Sequence, residues 1–306
     1  MSIRFSPLVR DALDHGEPVV GLETGMITHA LPRPLNLPIA LGIERELHDA
    51  QCVPATIGMI KGEAVIGLTA EELEHLAGAE DMHRITVRDL PFAKAKGLTG
   101  GVSLAAAVHL AHQVGIKVCA TTGLGGVHQT HSVDTILQES SDLTALADHP
   151  IVLVTSGVRP MLDVPGTLQR LETLAVPVLG YRSDAFAGFY VTDSGYKTDH
   201  RVDSAREIAD VAKARDELGL GQALLISNPI PESMQIEDFA EHMSKALVIA
   251  AETMPAGADE TQVLLATLES VTGGEAWRVN TELYRRNADL AAQIAKLLAT
   301  TPYYTD

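Results

Sequence analysis

The chain has 306 residues, 46% of them hydrophobic, which is enough for a sizeable core. Its 23 Lys and Arg against 40 Asp and Glu leave a formal charge of −17, which repels phosphate backbones and anionic lipid, so neither nucleic acid nor membrane is expected as a partner. Cys52 and Cys119 stand in apolar strand-like surroundings, the N-terminus lacks a secretory core and no run approaches a membrane span of ~18 apolar residues; the expectation is a cytoplasmic protein with reduced thiols.

Short runs rich in Val and Ile alternate with longer segments of helical period, the pattern of βα units around a largely parallel sheet. Strands are predicted at 18–23, 54–60, 64–68, 116–122, 151–157, 176–181 and 223–229. Most are too evenly apolar to have a wet face, so helical layers should cover both sides. The expected class is α/β, an α/β/α sandwich forming one domain over 1–306. Thr69 with Glu72, and Ser204 with Glu207, fit the capping box. Gly115 and Gly273 suit helix exits, and 102–114 is apolar enough for a central helix. After 235 the strands stop, and helices near 235–253, 259–272 and 276–299 are expected on the outside.

Ligands of open α/β sheets collect beyond the carboxyl ends of the strands. Glu23 ends the first predicted strand and reads either as a loop tie or as an acid. The glycines of "TTGLGGVH" (121–128) permit close approach of backbone N–H groups to an anion or simply a tight turn. His131, Asp134 and the cluster Ser140, Ser141, Asp142 follow, a group suited to a sugar phosphate and a hard metal ion, or with Ser140 as a helix cap. Arg84, Arg88, Lys94 and Lys96 form the densest basic patch, the ordinary meaning of which is a solvated face. Asn228 ends a strand within "ISNPIP", Asn280 lies on a predicted helix as a surface polar residue, and Arg159 follows the strand 151–157.

Seven ordered segments, "LETGMITHALPRPLN", "VPATIGMIKGEAVIGL", "VRDLPFAKAKGLTGG", "TTGLGGVH", "RPMLDVPGTLQRLET", "ISNPIPE" and "TGGEAWRVN", resemble the pseudouridine-5'-phosphate glycosidases, a family that includes indigoidine synthase A proteins and C-ribosyl synthases. The resemblance spans about residues 5–295. It implies a homotrimer that joins ribose 5-phosphate to uracil, or another heterocyclic base, through a carbon–carbon bond, with a divalent metal, Mn²⁺, as cofactor. It implies Glu23 as the acid, Arg84 and Ser103 at the phosphate, and Thr121, His128, Ser140, Ser141, Asp142 and Asn280 at ribose or base. Asn228 would line the site, and Asp134, in a His-x-x-Asp segment with His131, would hold the metal.

Two positions depart from the family. Its lysine nucleophile is replaced by Arg159, and its phosphate-side lysine by Arg84. The segment "ETQVLL" (260–265) replaces a Thr-Pro-Phe stretch. The family opens the sugar on a lysine as an imine, which requires a neutral amine. A guanidinium stays protonated and its lone pair is delocalised, so it forms no such imine, yet it grips oxyanions with two parallel hydrogen bonds. The expectation is therefore a C-nucleoside 5'-phosphate enzyme favouring condensation over cleavage, with Glu23 and Arg159 as the catalytic pair. A noncatalytic sugar-phosphate binder and an N-ribosyl hydrolase are the competing readings.

Overall fold

The computed structural model describes residues 3–79, 82–129, 138–253 and 260–300. In chain order it begins with β1 (Ile3–Phe5), α1 (Pro7–His15), β2 (Val19–Glu23), α2 (Asn36–Asp49), β3 (Val53–Ile60), β4 (Glu63–Ile66), α3 (Ala70–Gly78), β5 (His83–Ile85) and α4 (Leu90–Lys96). Next come β6 (Gly100–Val102), α5 (Leu104–Gln113), β7 (Val118–Ala120), β8 (Val127–His128), α6 (Ser141–Asp148), β9 (Val152–Thr155), β10 (Leu162–Asp163), α7 (Val164–Thr173) and β11 (Val178–Tyr181). The remainder is β12 (His200–Val202), α8 (Ala205–Glu217), β13 (Leu224–Ser227), α9 (Phe239–Thr253), α10 (Glu260–Val271) and α11 (Glu275–Leu298).

The main sheet runs β1-β4-β3-β2-β7-β9-β13-β11-β12, with β6 added on β3 and β5 on β6. From β3 through β12 along that path every pairing is parallel, while β4 and β6 run antiparallel to β3. Alternation along the strands explains the two helical layers. Val20, Leu22, Val118, Ala120, Val152, Val154, Leu224 and Ile226 face α2, α8 and α11. Their neighbours Val19, Cys119, Leu153 and Leu225 face the layer that holds α1, α5, α6 and α7. The sandwich expected from the sequence is thus what the chain forms.

Local signals account for several boundaries. Thr69 and Glu72 make the reciprocal capping box of α3. Ser204 caps α8 by accepting from Glu207 N, but the Glu207 carboxylate takes Asp203 N–H, so that box is shifted by one residue. In α5, seven of ten residues are buried, as its composition implies. α11 departs from expectation: it is not an outer helix but lies on the sheet, with Tyr284, Ala288, Ala291 and Ala295 in the core. Its 24 residues carry a wide small-residue stripe that seats it directly on the strands.

Candidate active site

At the carboxyl ends of the strands the described residues line a cleft with Glu23, Gly25, His29, Arg84, Ser103, Asp142, Arg159 and Leu265. Each polar member is placed by backbone structure. Glu23 is the last residue of β2, and Thr24 behind it is pinned, donating to Ile57 O at 2.7 Å and accepting from Val102 N at 2.9 Å. Arg84 sits on β5, opposite Gly101 of β6, and Ser103 follows β6 to cap α5 by accepting from Ala106 N. Asp142, in the first turn of α6, is anchored twice: Oδ1 accepts from Ala105 N and Oδ2 from Gly125 N, each at 3.0 Å. The backbone N–H of Arg159 donates to Leu124 O, which fixes the turn after β9.

Glu23 is 2% exposed. Its Oε1 accepts from the Thr121 hydroxyl at 2.6 Å, and its Oε2 lies so near Gly25 that a Cβ there would come within 3.2 Å. Burial pushes its carboxyl above the usual carboxylate range; Arg159, the Thr121 hydroxyl and Arg84 pull it down, and Asp142 pushes it up. A buried carboxyl at a strand end, beside two cations, is the kind of group that can hold and release a proton. Two arginines in a chain of net charge −17 give the cleft the local cations that an anionic ligand needs.

Not every residue singled out in the sequence meets at this cleft. Thr121 is buried and reaches it through Glu23. Ser140 caps α6 by accepting from Asp142 N, the bland reading of that serine. His128 on β8 and Ser141 are exposed and are not among the described residues lining the cleft. Asn228 is buried behind it, donating to Asn287 Oδ1 at 2.9 Å. Asn280 is 5% exposed rather than a surface polar residue, because it lies on the buried side of α11, and its Oδ1 is buried without a hydrogen-bond partner. All four residues of the basic patch are exposed, and of them Arg84 is among the residues lining the cleft.

The glycine-rich loop also differs from an anion cradle. The N–H of Gly125 is taken by Asp142 and that of Leu124 by Gly157 O. Cβ atoms at Gly123 and Gly126 would lie 2.2 Å from Phe189 Cε2 and Thr167 Oγ1, so these glycines admit neighbouring side chains. His131 and Asp134 fall outside the described residues. Among the described ones no cluster of His, Cys, Asp or Glu is arranged to hold a metal, and the adjoining carboxylates are engaged, Glu139 with Arg170 and Asp142 with backbone.

His29 and Leu265 also line the cleft, at positions the sequence does not single out. His29 follows Glu23 by six residues, on a π-helical turn over Met26–Ala30, with ring nitrogens 2.5 Å from Thr28 Oγ1 and 3.1 Å from Met82 O. Leu265 belongs to the divergent "ETQVLL" segment. Among the described residues, no lysine lines the cleft.

Over residues 8–297 the chain matches the family described as Indigoidine synthase A like protein. A pseudouridine-5'-phosphate glycosidase of Saccharopolyspora erythraea is 47% identical, over 96% of this chain and 97% of its own. Another, from Salinispora tropica, is 44% identical over 96% and 91%. An indigoidine synthase A-like protein of Thermotoga maritima superposes with a TM-score of 0.83 at 30% identity, covering 96% of both chains. The prealnumycin C-glycosynthase AlnA, solved in complex with ribulose 5-phosphate, gives 0.88 at 29% identity over 97% of both.

Proposed function

The chain belongs to the Indigoidine synthase A like protein family, and from that premise we propose that it is a C-nucleoside 5'-phosphate enzyme, forming or cleaving the carbon–carbon bond between ribose 5-phosphate and a heterocyclic base. The observation that carries the reading is the cleft itself: a buried carboxyl at a strand end, with Arg84 and Arg159 acting on it. Arg84 and Ser103 hold the phosphate. Glu23 exchanges a proton with the reacting carbon of the base, and Arg159 faces the oxygen on sugar carbon 1.

With arginine in the lysine's place, the sugar reacts as its open-chain aldehyde. The acidic carbon of the base loses its proton to Glu23 and attacks the aldehyde carbon, whose oxygen becomes an oxyanion stabilised by the Arg159 guanidinium. Glu23 returns its proton to that oxygen, the sugar's C4 hydroxyl oxygen attacks carbon 1 to close the ring, and the carbon 1 hydroxyl leaves as water with the proton the C4 hydroxyl gives up; cleavage is the same sequence reversed. The AlnA complex supports an acyclic ligand in this fold, since a 2-ketopentose phosphorylated on oxygen 5 has no hydroxyl left to close a furanose ring.

In this reading Asp142, which lines the cleft, is a ribose or base contact, Thr121 acts through Glu23, and Ser140 and Asn228 support the loops around it. Mn²⁺ at Asp134, a homotrimer and a cytoplasmic location belong to the same reading. Among the described residues no helix is long and apolar enough to cross a membrane. Product analysis with pseudouridine 5'-phosphate, with an N-nucleotide, and with ribose 5-phosphate plus uracil tests the function. Turnover of the first or third supports it, and hydrolysis of the N-nucleotide alone overturns it. Mn²⁺ calorimetry on wild type and Asp134→Asn, and light scattering for mass, test the metal and the trimer.

A further inference from the structure

Asn287 on α11 is fully buried and does not line the cleft. Its amide is satisfied at both ends. Nδ2 donates to Thr121 O at 2.8 Å and to Ser156 Oγ at 3.0 Å, and Oδ1 accepts from Asn228 Nδ2 at 2.9 Å with Ser156 Oγ 3.2 Å away. Thr121, Ser156 and Asn228 each stand one residue past the end of a parallel strand, β7, β9 and β13 respectively. One side chain therefore fastens three adjacent strand ends where the loops of the cleft depart.

Docking of α11 does not call for this amide. Leu283, Tyr284, Ala288 and Ala291 already pack it into apolar core, and burying a polar group stabilises nothing unless its hydrogen bonds are remade. The informative partner is Thr121, whose carbonyl accepts from Asn287 while its hydroxyl donates to Glu23 Oε1 at 2.6 Å. The chain of contacts runs Asn287, Thr121, Glu23, ending at the proposed acid.

We propose that Asn287 is a positioning residue: it holds Thr121 so that the threonine hydroxyl orients the Glu23 carboxyl toward the reacting carbon. The inference rests on the C-ribosyl reading, in which Glu23 moves the proton. Ser156 belongs to the same device, because its backbone oxygen accepts from Phe189 N and its turn leads into Arg159 three residues on.

The test is steady-state kinetics on wild type, Asn287→Ala, Thr121→Val and the double variant, with pseudouridine 5'-phosphate and with ribose 5-phosphate plus uracil. Asn287→Ala is expected to lower kcat about tenfold or more, the equivalent of one hydrogen bond to a charged group, with KM changed less than twofold. In the Thr121→Val background, where no hydroxyl remains to be placed, the same substitution should add almost nothing. Equal losses in the two backgrounds, or a raised KM at unchanged kcat, overturn the proposal. If Asn287→Ala does not fold, Ser156→Ala, which loosens the amide without removing it, must reduce kcat with KM preserved, and wild-type kcat there is a refutation. A wild type inactive on both substrates overturns the functional reading and this inference with it; an active wild type matched by Asn287→Ala overturns the inference alone.

Discussion

Replacing Asp142 by alanine tests how the cleft is built. The carboxylate is 6% exposed and joins two segments, accepting from Ala105 N in the first turn of α5 and from Gly125 N in the glycine-rich loop. Each is a hydrogen bond to a charged group, and losing both leaves two buried N–H donors unpaired, so Asp142→Ala should cost about 3–6 kcal/mol. Asp142→Asn keeps one oxygen as acceptor and should cost about half as much. Urea unfolding followed by circular dichroism at neutral pH measures both. A loss below about 1 kcal/mol for Asp142→Ala would refute the reasoning that this carboxylate is a structural anchor. The same substitutions remove a negative charge that pushes the Glu23 carboxyl up, so the limb of the pH–rate profile that reports deprotonation of Glu23 should move to lower pH.

Glu23→Gln should reduce turnover by about 10²–10⁴-fold while ribose 5-phosphate still binds by calorimetry; full activity removes Glu23 from the mechanism. Because burial raises the Glu23 carboxyl, the folded protein keeps a proton that the unfolded chain gives up. Wild-type stability therefore falls as pH rises from the ordinary carboxylate range through the raised one, and Glu23→Gln should lose that part of the pH dependence in unfolding curves. Borohydride with mass spectrometry on wild type plus ribose 5-phosphate should trap no lysine adduct, whereas Arg159→Lys should yield one at residue 159; an adduct on any wild-type lysine ends the noncovalent account. Gly157→Ala places a Cβ 2.0 Å from Ala187 O at φ +100° and should lower stability by at least about 2 kcal/mol in thermal unfolding.

All seven predicted strands are present, because buried strands advertise themselves as continuous apolar runs; six are parallel members of the sheet and the seventh, β4, runs antiparallel to β3. The short ones were illegible for the opposite reason. β6 is Gly-Gly-Val and β8 and β10 are two residues each, too little side chain to show a period. Glu23 and Arg159 were legible because a charge at the end of an apolar strand is conspicuous in the sequence. Asn280 and Asn287 were not, since an asparagine on an amphipathic helix looks like surface until its partner is known, and Thr121 lies 166 residues away from Asn287. His29 follows Glu23 closely, and that proximity was the available signal. What concealed it was the π-helical turn, which sets the ring on the cleft side where a simple loop reading gives no direction.

The fastening of three strand ends by a single amide also bears on how the site is assembled. Thr121, Ser156 and Asn228, at the ends of three neighbouring central strands, all precede residue 287 in the chain. The amide reaches the three strand ends only with α11 seated on the sheet, so the surroundings of the proposed acid depend on a residue 166 positions downstream of Thr121.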